Sequence, residues 1–244
     1  MNCPICDRKT HRLFKKYAYW IRACESCHHQ FCELNPSDTH VEQVYSDDYF
    51  QGGGAGYSDY LSEAQVLKSH SRRYSKILAR YTQPGYMLDV GAAAGFILQG
   101  FVESGWKGRG IEPNPHMAQY AQTQLGLPVE TGTLEQLQTS DRFDLVTMIQ
   151  VVPHFFDLKQ AFQSAADITK PNGFWLIETW NRESCMARAF GKNWHEYSPP
   201  SVLHWFSPTG LQILAEQFGF HEIAKGRPSK WIKASHAKSL LEYK

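Results

Sequence analysis

Two glycines and a carboxylate close together have the spacing of a site that holds a small polar ligand. Asp89 lies in the apolar run 86–90, and Gly91 and Gly95 follow before apolar residues recur at helical spacing. This order predicts a strand, a tight turn and a helix. Glycine lets a ligand approach the backbone closely, and the new helix directs unpaired N–H groups and its positive end at that ligand.

A second carboxylate extends this candidate site. Glu112 ends a short predicted strand at 107–112, 21 residues after Gly91. In a strand–helix–strand unit, a carboxylate at this distance lies beside the turn and accepts hydrogen bonds from ribose hydroxyls. The turn reads D-x-G-x-x-x-G, whereas a dinucleotide site reads G-x-G-x-x-G. The sequence therefore favours a nucleoside ligand, with a purely structural turn as the alternative.

The two motifs together resemble motif I of the class I methyltransferases, which use S-adenosylmethionine (SAM). The resemblance covers residues 60–225 and implies an α/β fold with a doubly wound, Rossmann-like, mostly parallel sheet. A departure is Ala93, where the family usually has glycine. The cofactor-binding residues that we expect from the motif and its neighbours are Asp89, Gly91, Ala92, Gly95, Phe96, Glu112, Pro113, Thr133, Leu134 and Gln150.

Three histidines are candidate general bases or groups that orient the acceptor, because imidazole titrates near neutral pH. His154 follows the apolar run 143–149 in a segment that resembles the family's region after strand four, with Pro153 in place of a glutamate. His195 and His204 lie in the aromatic, proline-broken segment 183–206, which we predict to face the substrate. His204 matches a histidine of the family, and residues 179–182 are similar to ubiquinone-type O-methyltransferases. A packing or capping role is the alternative for each.

Two C-x-x-C pairs near the N-terminus predict a metal site. Cys3, Cys6, Cys24 and Cys27 have the two-knuckle spacing of tetrahedral Zn²⁺. So short a segment cannot build a core, so the metal would supply its folding energy. Four cysteines close the site, which makes it structural rather than catalytic. Haem attachment, disulfides and a redox pair are the alternatives, and Cys32, His28 or His29 are replacement ligands.

These motifs divide the chain into a zinc-ribbon-like head at 1–34, a linker or lid at 35–59 and a SAM-dependent methyltransferase domain at 60–244. Aromatic and acidic residues precede a glycine-rich stretch in the middle segment, where Tyr49, Phe50 or Tyr57 are candidates to close on substrate. We also predict a helix over 60–81, a turn at 170–173 leading into a strand, a sixth strand at 220–225 and a helical or frayed tail at 230–244.

Composition narrows the functional classes. The chain has 244 residues, a net charge of +1 and no apolar run near the ~18 residues that span a bilayer. The N-terminus lacks a signal-peptide pattern, so we expect a cytoplasmic protein with reduced thiols and no membrane partner. The head is basic and carries interleaved aromatic residues, a composition that suits either contact with RNA or a small core that the aromatic residues cover while the charged side chains are solvated.

The leading interpretation is a SAM-dependent methyltransferase that acts on a small-molecule or glycan acceptor. An rRNA guanine methyltransferase is the alternative, since some of these carry a zinc head that begins Cys-Pro-x-Cys and contains His-x-Phe, as residues 3–6 and 29–31 do here. A non-catalytic SAM-sensing or interaction protein is a third interpretation, which Ala93 and Pro153 would suit. The sequence specifies neither the acceptor atom nor the oligomeric state.

Overall fold

The computed structural model describes residues 1–34, 40–51 and 59–227. In these ranges the strands are β1 (Thr10–Lys16), β2 (Tyr19–Cys24), β3 (Gln30–Cys32), β4 (Tyr86–Val90), β5 (Lys107–Glu112), β6 (Val129–Thr131), β7 (Phe143–Ile149), β8 (Thr169–Glu178) and β9 (His204–Trp205). The helices are α1 (His40–Val44), α2 (Asp47–Gln51), α3 (Ala64–Leu78), α4 (Phe96–Val102), α5 (Pro115–Leu125), α6 (Leu158–Ile168), α7 (Cys185–Phe190) and α8 (Pro208–Glu216). None of these helices is both long and apolar enough to cross a membrane.

A five-stranded parallel sheet in the order β6-β5-β4-β7-β8 forms the centre of the molecule. Its inner strands are apolar on both faces, as expected for a sheet covered by helices on each side. Met87 and Leu145 pack in one core cluster with α3, α4 and α5. Leu88 and Val146 pack in the opposite cluster with α6 and α8. The strand order reverses between β4 and β7, so the crevice for a ligand is expected at the carboxyl ends of these strands.

Local sequence explains where the helices beside this crevice begin and end. Asn114 caps α5, because its side-chain oxygen accepts the N–H of Met117, and Pro115 occupies the first turn. Gly126 ends α5 in the left-handed conformation. Helix α3 confirms the helix predicted over 60–81, although it begins at Ala64 after a 3₁₀ turn at 61–63.

The second sheet joins the head to the rest of the chain. It is antiparallel with the order β1-β2-β3-β9, and its last strand comes from residues 204–205. Gln30 pairs with Trp205 and Phe31 pairs with His204. Cys3 and Ile5 belong to the same core cluster as Phe206 of the domain. The head therefore shares both a sheet and a core with the segment predicted as the methyltransferase domain.

Two features in the second half of the chain differ from the secondary structure that the sequence predicts. The predicted strand at 220–225 is wrong, since these residues have no regular structure. Phe220 instead stacks on Trp175 with ring centroids 3.5 Å apart, so ring stacking takes the place of strand pairing. The predicted turn at 170–173 lies inside β8 as a bulge, because Thr169 pairs with Phe143 while Phe174 pairs with Leu145. The tail at 230–244 and Tyr57 lie outside the described residues.

Candidate active site

A cavity opens at the carboxyl ends of the parallel strands. Eight of the ten residues predicted to bind the cofactor line it: Asp89, Gly91, Ala92, Glu112, Pro113, Thr133, Leu134 and Gln150. The other two predicted residues do not. The left-handed Gly95 leaves room for Leu127 and Ala121 of the α5 region, while the Phe96 ring is buried against Tyr60. The cofactor role of each of these residues remains a prediction.

The turn after β4 keeps the backbone in unusual conformations. Gly91, Ala93 and Gly95 all have positive φ, at 66°, 46° and 83°. A Cβ at Gly91 would clash with the side chain of Val151, which lines the same cavity. Ala93 occupies a left-handed position without being glycine, a conformation that costs ~1–2 kcal/mol. Its N–H donates to Glu112 Oε2 at 2.8 Å, which offsets part of that cost.

Two buried carboxyl groups face the cavity from β4 and β5. Glu112 accepts N–H groups from Ala93 and, at 2.9 Å on Oε1, from Asn114. Asp89 Oδ1 accepts the Thr147 hydroxyl at 2.6 Å, and its buried Oδ2 makes no hydrogen bond of good geometry among the described residues, although the Leu98 N–H also stabilises the ionised carboxylate. Burial raises the pKa of each carboxyl group to about 7, and the charge of Asp89 adds to the effect at Glu112. The ionised form of each carboxyl group would therefore be stabilised by a further hydrogen-bond donor or a positive charge.

The charged lining of the cavity has one sign. Besides Asp89 and Glu112, the carboxyl groups of Glu135 and Glu178 line it, and no Lys or Arg does so within the described ranges. Burial raises the pKa of Glu135 to about 7 as well. Glu135 Oε1 accepts the N–H of Phe156 at 3.1 Å and so holds the loop after β7. The cavity lining therefore favours a ligand that brings positive charge or hydrogen-bond donors to these carboxyl groups.

A hydrogen-bond network at the β8 end was not anticipated from the sequence. The carboxylate of Glu178 accepts the hydroxyl of Tyr74 on one oxygen and, at 2.8 Å, the side-chain amide Nε2–H of Gln150 on the other. Gln150 has a positive φ of 60°, and its buried Oε1 has no hydrogen-bond partner among the described residues. His70 and Tyr74 both line the cavity from α3. Their spacing of four residues, with polar tips on an apolar helix face, was the available signal.

Of the three candidate histidines, His154 lines the cavity. Its Nδ1 lies 2.7 Å from the carbonyl oxygen of Ser201. A carbonyl only accepts, so Nδ1 carries the proton in this contact. Burial lowers the pKa of His154 to about 4, so the ring is neutral near pH 7 and Nε2 holds a lone pair.

The other two histidines lie away from the cavity lining. His204 is buried, and its Nε2 donates to the Phe155 carbonyl at 3.1 Å while Nδ1 contacts His29 Nε2 at 3.2 Å. Burial lowers the pKa of His204 to about 4. His195 contacts Glu196 at 2.9 Å, and that hydrogen bond raises its pKa. The positions of His195 and His204, away from the cavity lining, therefore do not support their predicted catalytic roles.

The segment predicted as a linker or lid covers part of the cavity. Tyr45, Tyr49 and Phe50 line it from residues 45–50, on and beside α2. The Tyr45 hydroxyl donates to the Ser201 carbonyl at 3.0 Å, and the Tyr45 carbonyl accepts the side-chain amide of Asn114 at 2.9 Å. These contacts dock the segment on both the domain and the 201–206 region. Whether it opens remains a prediction.

The four predicted metal ligands form a separate cluster. The Sγ atoms of Cys3, Cys6, Cys24 and Cys27 all lie within 4.8 Å of one another. The Cys3–Cys27 and Cys6–Cys24 sulfur distances are 3.5 Å and 3.4 Å. The edge of a ZnS₄ tetrahedron with 2.3 Å bonds is ~3.8 Å. The donor set therefore fits a tetrahedral, thiophilic metal ion.

Comparisons with known proteins bear on the family and the fold of the chain. A family model described as a methyltransferase domain matches residues 62–225, more than half of the chain. A ubiquinone biosynthesis O-methyltransferase of Rhodopseudomonas palustris (strain BisB18) is 31% identical over 101 residues, 39% of this chain and 40% of that protein. A counterpart from Azorhizobium caulinodans is 30% identical over 102 residues, again covering 39% and 40% of the two proteins. The chain thus matches under half the length of these relatives.

Solved structures share the fold at low sequence identity. A SAM-dependent methyltransferase from Thermotoga maritima aligns over 67% of this chain and 75% of its own, with 24% identity and a TM-score of 0.53. The YcgJ protein of a Bacillus species aligns over 62% and 68%, with 23% identity and a TM-score of 0.52. At these identities the similarity establishes the architecture alone.

Proposed function

This chain belongs to the methyltransferase-domain family, and on that premise we propose that it transfers a methyl group from SAM to a small-molecule acceptor. The observation that carries the proposal is the pair of buried carboxyl groups, Asp89 and Glu112, beside the left-handed turn at Gly91. The pair matches the chemistry of SAM, which combines ribose hydroxyl donors with a cationic ammonium and a cationic sulfonium.

Each part of the lining has a role in this proposal. Glu112 accepts the ribose hydroxyls, and Asp89, through its unpartnered Oδ2, attracts the positive charge of the methionine part. Leu134 and Thr133 border the base. SAM supplies the activated methyl group, so the protein's task is chiefly to align the acceptor and exclude water.

We assign the acceptor-facing base to His154. With Nδ1 bonded to a carbonyl, the ring presents the Nε2 lone pair to take the proton of an acceptor hydroxyl or ammonium group. The lowered pKa keeps this nitrogen unprotonated near pH 7, although it also makes the ring a weaker base than free imidazole. The rings of Tyr45 and Trp180 lie edge-on to it, each at a centroid distance of 5.7 Å. These contacts fix the orientation of the imidazole, and Tyr45 also gives this end of the cavity an aromatic wall.

The charge of the cavity narrows the acceptor class. With Asp89 and Glu112 assigned to SAM, an acceptor that carries phosphate or carboxylate would still meet Glu135 and Glu178 and no lining Lys or Arg in the described ranges. A neutral or cationic small molecule, including a sugar hydroxyl or amine, fits better. The head keeps a basic surface, because Glu33 pairs with Arg12 and Arg22 while Arg8, Lys9 and Lys15 are exposed, so the preference for a small molecule rests on the cavity and not on the head. A small-molecule acceptor is thus favoured over rRNA.

We further propose that the cysteine cluster binds structural Zn²⁺. The sulfur distances fit a tetrahedral site, and the cluster shares no residue with the cavity lining. Metal analysis of protein purified without chelator tests this proposal. One zinc per chain is expected, and loss of the metal in Cys6→Ser would identify the ligands; a metal-free, folded chain would contradict the proposal.

Methyl-labelled SAM tests the proposed activity directly. The protein is incubated with labelled SAM and host-cell extract, and the products are sorted by size and RNase sensitivity. Label in small molecules or glycans is expected from wild type, and none from Asp89→Ala. RNase-sensitive label would favour the rRNA alternative instead. Absence of SAM binding by calorimetry would refute the proposal.

A further inference from the structure

Ser201 has a backbone carbonyl that joins two walls of the cavity. It accepts His154 Nδ1 at 2.7 Å and the Tyr45 hydroxyl at 3.0 Å. A neutral imidazole has one N–H, so a carbonyl at Nδ1 selects the tautomer whose Nε2 is bare. Without this carbonyl the ring would lose both its fixed tautomer and its fixed tilt. The position of residue 201 therefore decides whether His154 is presented as a base.

Residues 197–205 owe their position to the head. The N–H of Cys32 donates to the Leu203 carbonyl at 2.8 Å, directly beside the residues that pair β3 with β9. The Tyr197 hydroxyl donates to Gln30 Oε1 at 2.5 Å. The Leu203 N–H in turn donates to the Pro153 carbonyl at 2.8 Å, directly beside His154. The segment that carries Ser201 is thus clamped between strand β3 and the cavity wall.

Buried histidines form a second link along the same route. His29 Nε2 contacts His204 Nδ1 at 3.2 Å, and His204 Nε2 donates to the carbonyl of Phe155, which lines the cavity. The Cys24 N–H donates to the His29 carbonyl at 2.9 Å. The path therefore begins at a cysteine knuckle of the head and ends next to His154. The head and the cavity wall are thus linked both by backbone hydrogen bonds and by side-chain contacts.

We propose that the head is a positioning element for the acceptor site: through β9 and His204 it holds the Ser201 carbonyl, which fixes the His154 tautomer. His29 and His204 are then positioning residues, and His204 does not act as a base. The effect on methyl transfer rests on the proposed function, but the placement of His154 does not. The cofactor half of the cavity, at Asp89 and Glu112, lies on the parallel sheet and should be much less affected.

Nuclear magnetic resonance of protein labelled with ¹⁵N-histidine tests the proposal without SAM or acceptor. Long-range ¹H–¹⁵N correlation distinguishes a protonated ring nitrogen from a bare one, and His154→Gln assigns the signal. In wild type, His154 should show a protonated Nδ1 and a bare Nε2. In His204→Phe, which keeps a ring but removes both hydrogen bonds, the second tautomer should appear. His204→Gln should restore part of the wild-type signal.

His11→Gln is the matched control. His11 is exposed on strand β1 of the head and is not one of the candidate metal ligands. Its substitution should leave the His154 signal unchanged. Removal of the metal by chelation should shift the His154 signal as His204→Phe does. SAM affinity should change by less than ~10-fold in His204→Phe, whereas kcat should fall by roughly 10²-fold, as for a misplaced catalytic group.

The proposal fails if His154 keeps its tautomer in both His204→Phe and the metal-free protein, or if wild type carries its proton on Nε2. Should His204→Phe not fold, Tyr197→Phe removes one hydrogen bond between the head and the same segment. That variant should move the His154 signal in the same direction, and an unchanged signal there would overturn the proposal. A chain that failed to transfer methyl groups would leave these spectra interpretable, so the two proposals fail separately.

Discussion

Asp89 and Glu112 are carboxyl groups whose charge is suppressed until a ligand arrives. Burial holds both pKa values at about 7, well above the usual ~4. In the ligand-free protein the folded state therefore binds more protons than the unfolded chain between these limits. The contribution of these groups to the unfolding free energy consequently falls as pH rises from ~4 to about 7. Above that window the folded state bears the full cost of two buried charges.

Binding of SAM should reverse this balance, because its cationic groups and hydroxyl donors favour the ionised carboxylates. We expect SAM affinity to rise as pH increases through about 7, with protons released on binding. Calorimetry in buffers of different ionisation enthalpy measures that release. Glu112→Gln should bind more weakly and release fewer protons, while Glu216→Gln, at an exposed position on α8, should behave as wild type. Proton uptake on binding would contradict the assignment.

His154 gives a second prediction at this scale, on the acceptor side. If His154 is the base, His154→Gln should lower kcat by roughly 10²–10⁴-fold with little change in SAM affinity. His195→Gln, half-exposed and outside the lining, is the control and should have little effect. Because burial lowers the pKa of His154 to about 4, its protonation should reduce the rate only near that pH. A rate limb near 6.5 that disappears in His154→Gln would show that the ring is less buried than described.

Helices α3 and α4 approach each other closely because α4 has a glycine at their contact. A Cβ on Gly100 would clash with Ser71 and meet the Lys68 carbonyl at 2.8 Å. Helix α3 also carries His70 and Tyr74 to the cavity, so this contact sets the position of one wall.

Gly100→Ala should therefore destabilise the protein by about 1–3 kcal/mol in urea unfolding, despite the better helix propensity of alanine. SAM affinity should fall at the same time, since the clash pushes α3 away from α4. Gly226→Ala, which meets nothing within 4 Å, is the matched control and should change the unfolding free energy by less than ~0.5 kcal/mol. Equal stability of the two variants would mean that α3 relaxes without cost.

The contacts that could be predicted from the sequence are those that depend on spacing over a short stretch of chain. Gly91 and Glu112 lie in one strand–helix–strand unit, so their meeting follows from the topology of that unit. The contact of His29 with His204 spans 175 residues and that of Tyr45 with Ser201 spans 156, and no local pattern encodes either. Phe220 shows the same limit, because an apolar run fits a strand as well as a ring stacked on Trp175.

The whole molecule behaves as one packed unit in its described parts. Cys3 and Cys24 belong to the same core cluster as Leu214 of α8, and Gln217 donates to the Ile5 carbonyl at 3.0 Å. A metal in the cysteine cluster would therefore stabilise more than the head, because its loss would loosen a shared core.

Chelation should lower the Tm of the entire protein in a single calorimetric transition. Cys6→Ser should mimic this loss, whereas Cys185→Ser, exposed and outside the cluster, should leave the Tm unchanged. Two separate transitions, with the larger one insensitive to chelator, would indicate that the head unfolds independently of the parallel sheet.

The position of β9 at the edge of the head's sheet also dictates an order of events during synthesis. Strands β1 to β3 leave the ribosome early, but the histidine that pairs with His29 follows 175 residues later. At ~5–20 residues per second this delay is on the order of ten to thirty seconds. For that time β3 is an open edge, a surface prone to mispairing with other chains. Early binding of the metal by the two C-x-x-C pairs would keep the nascent head compact until strand β9 has been synthesised.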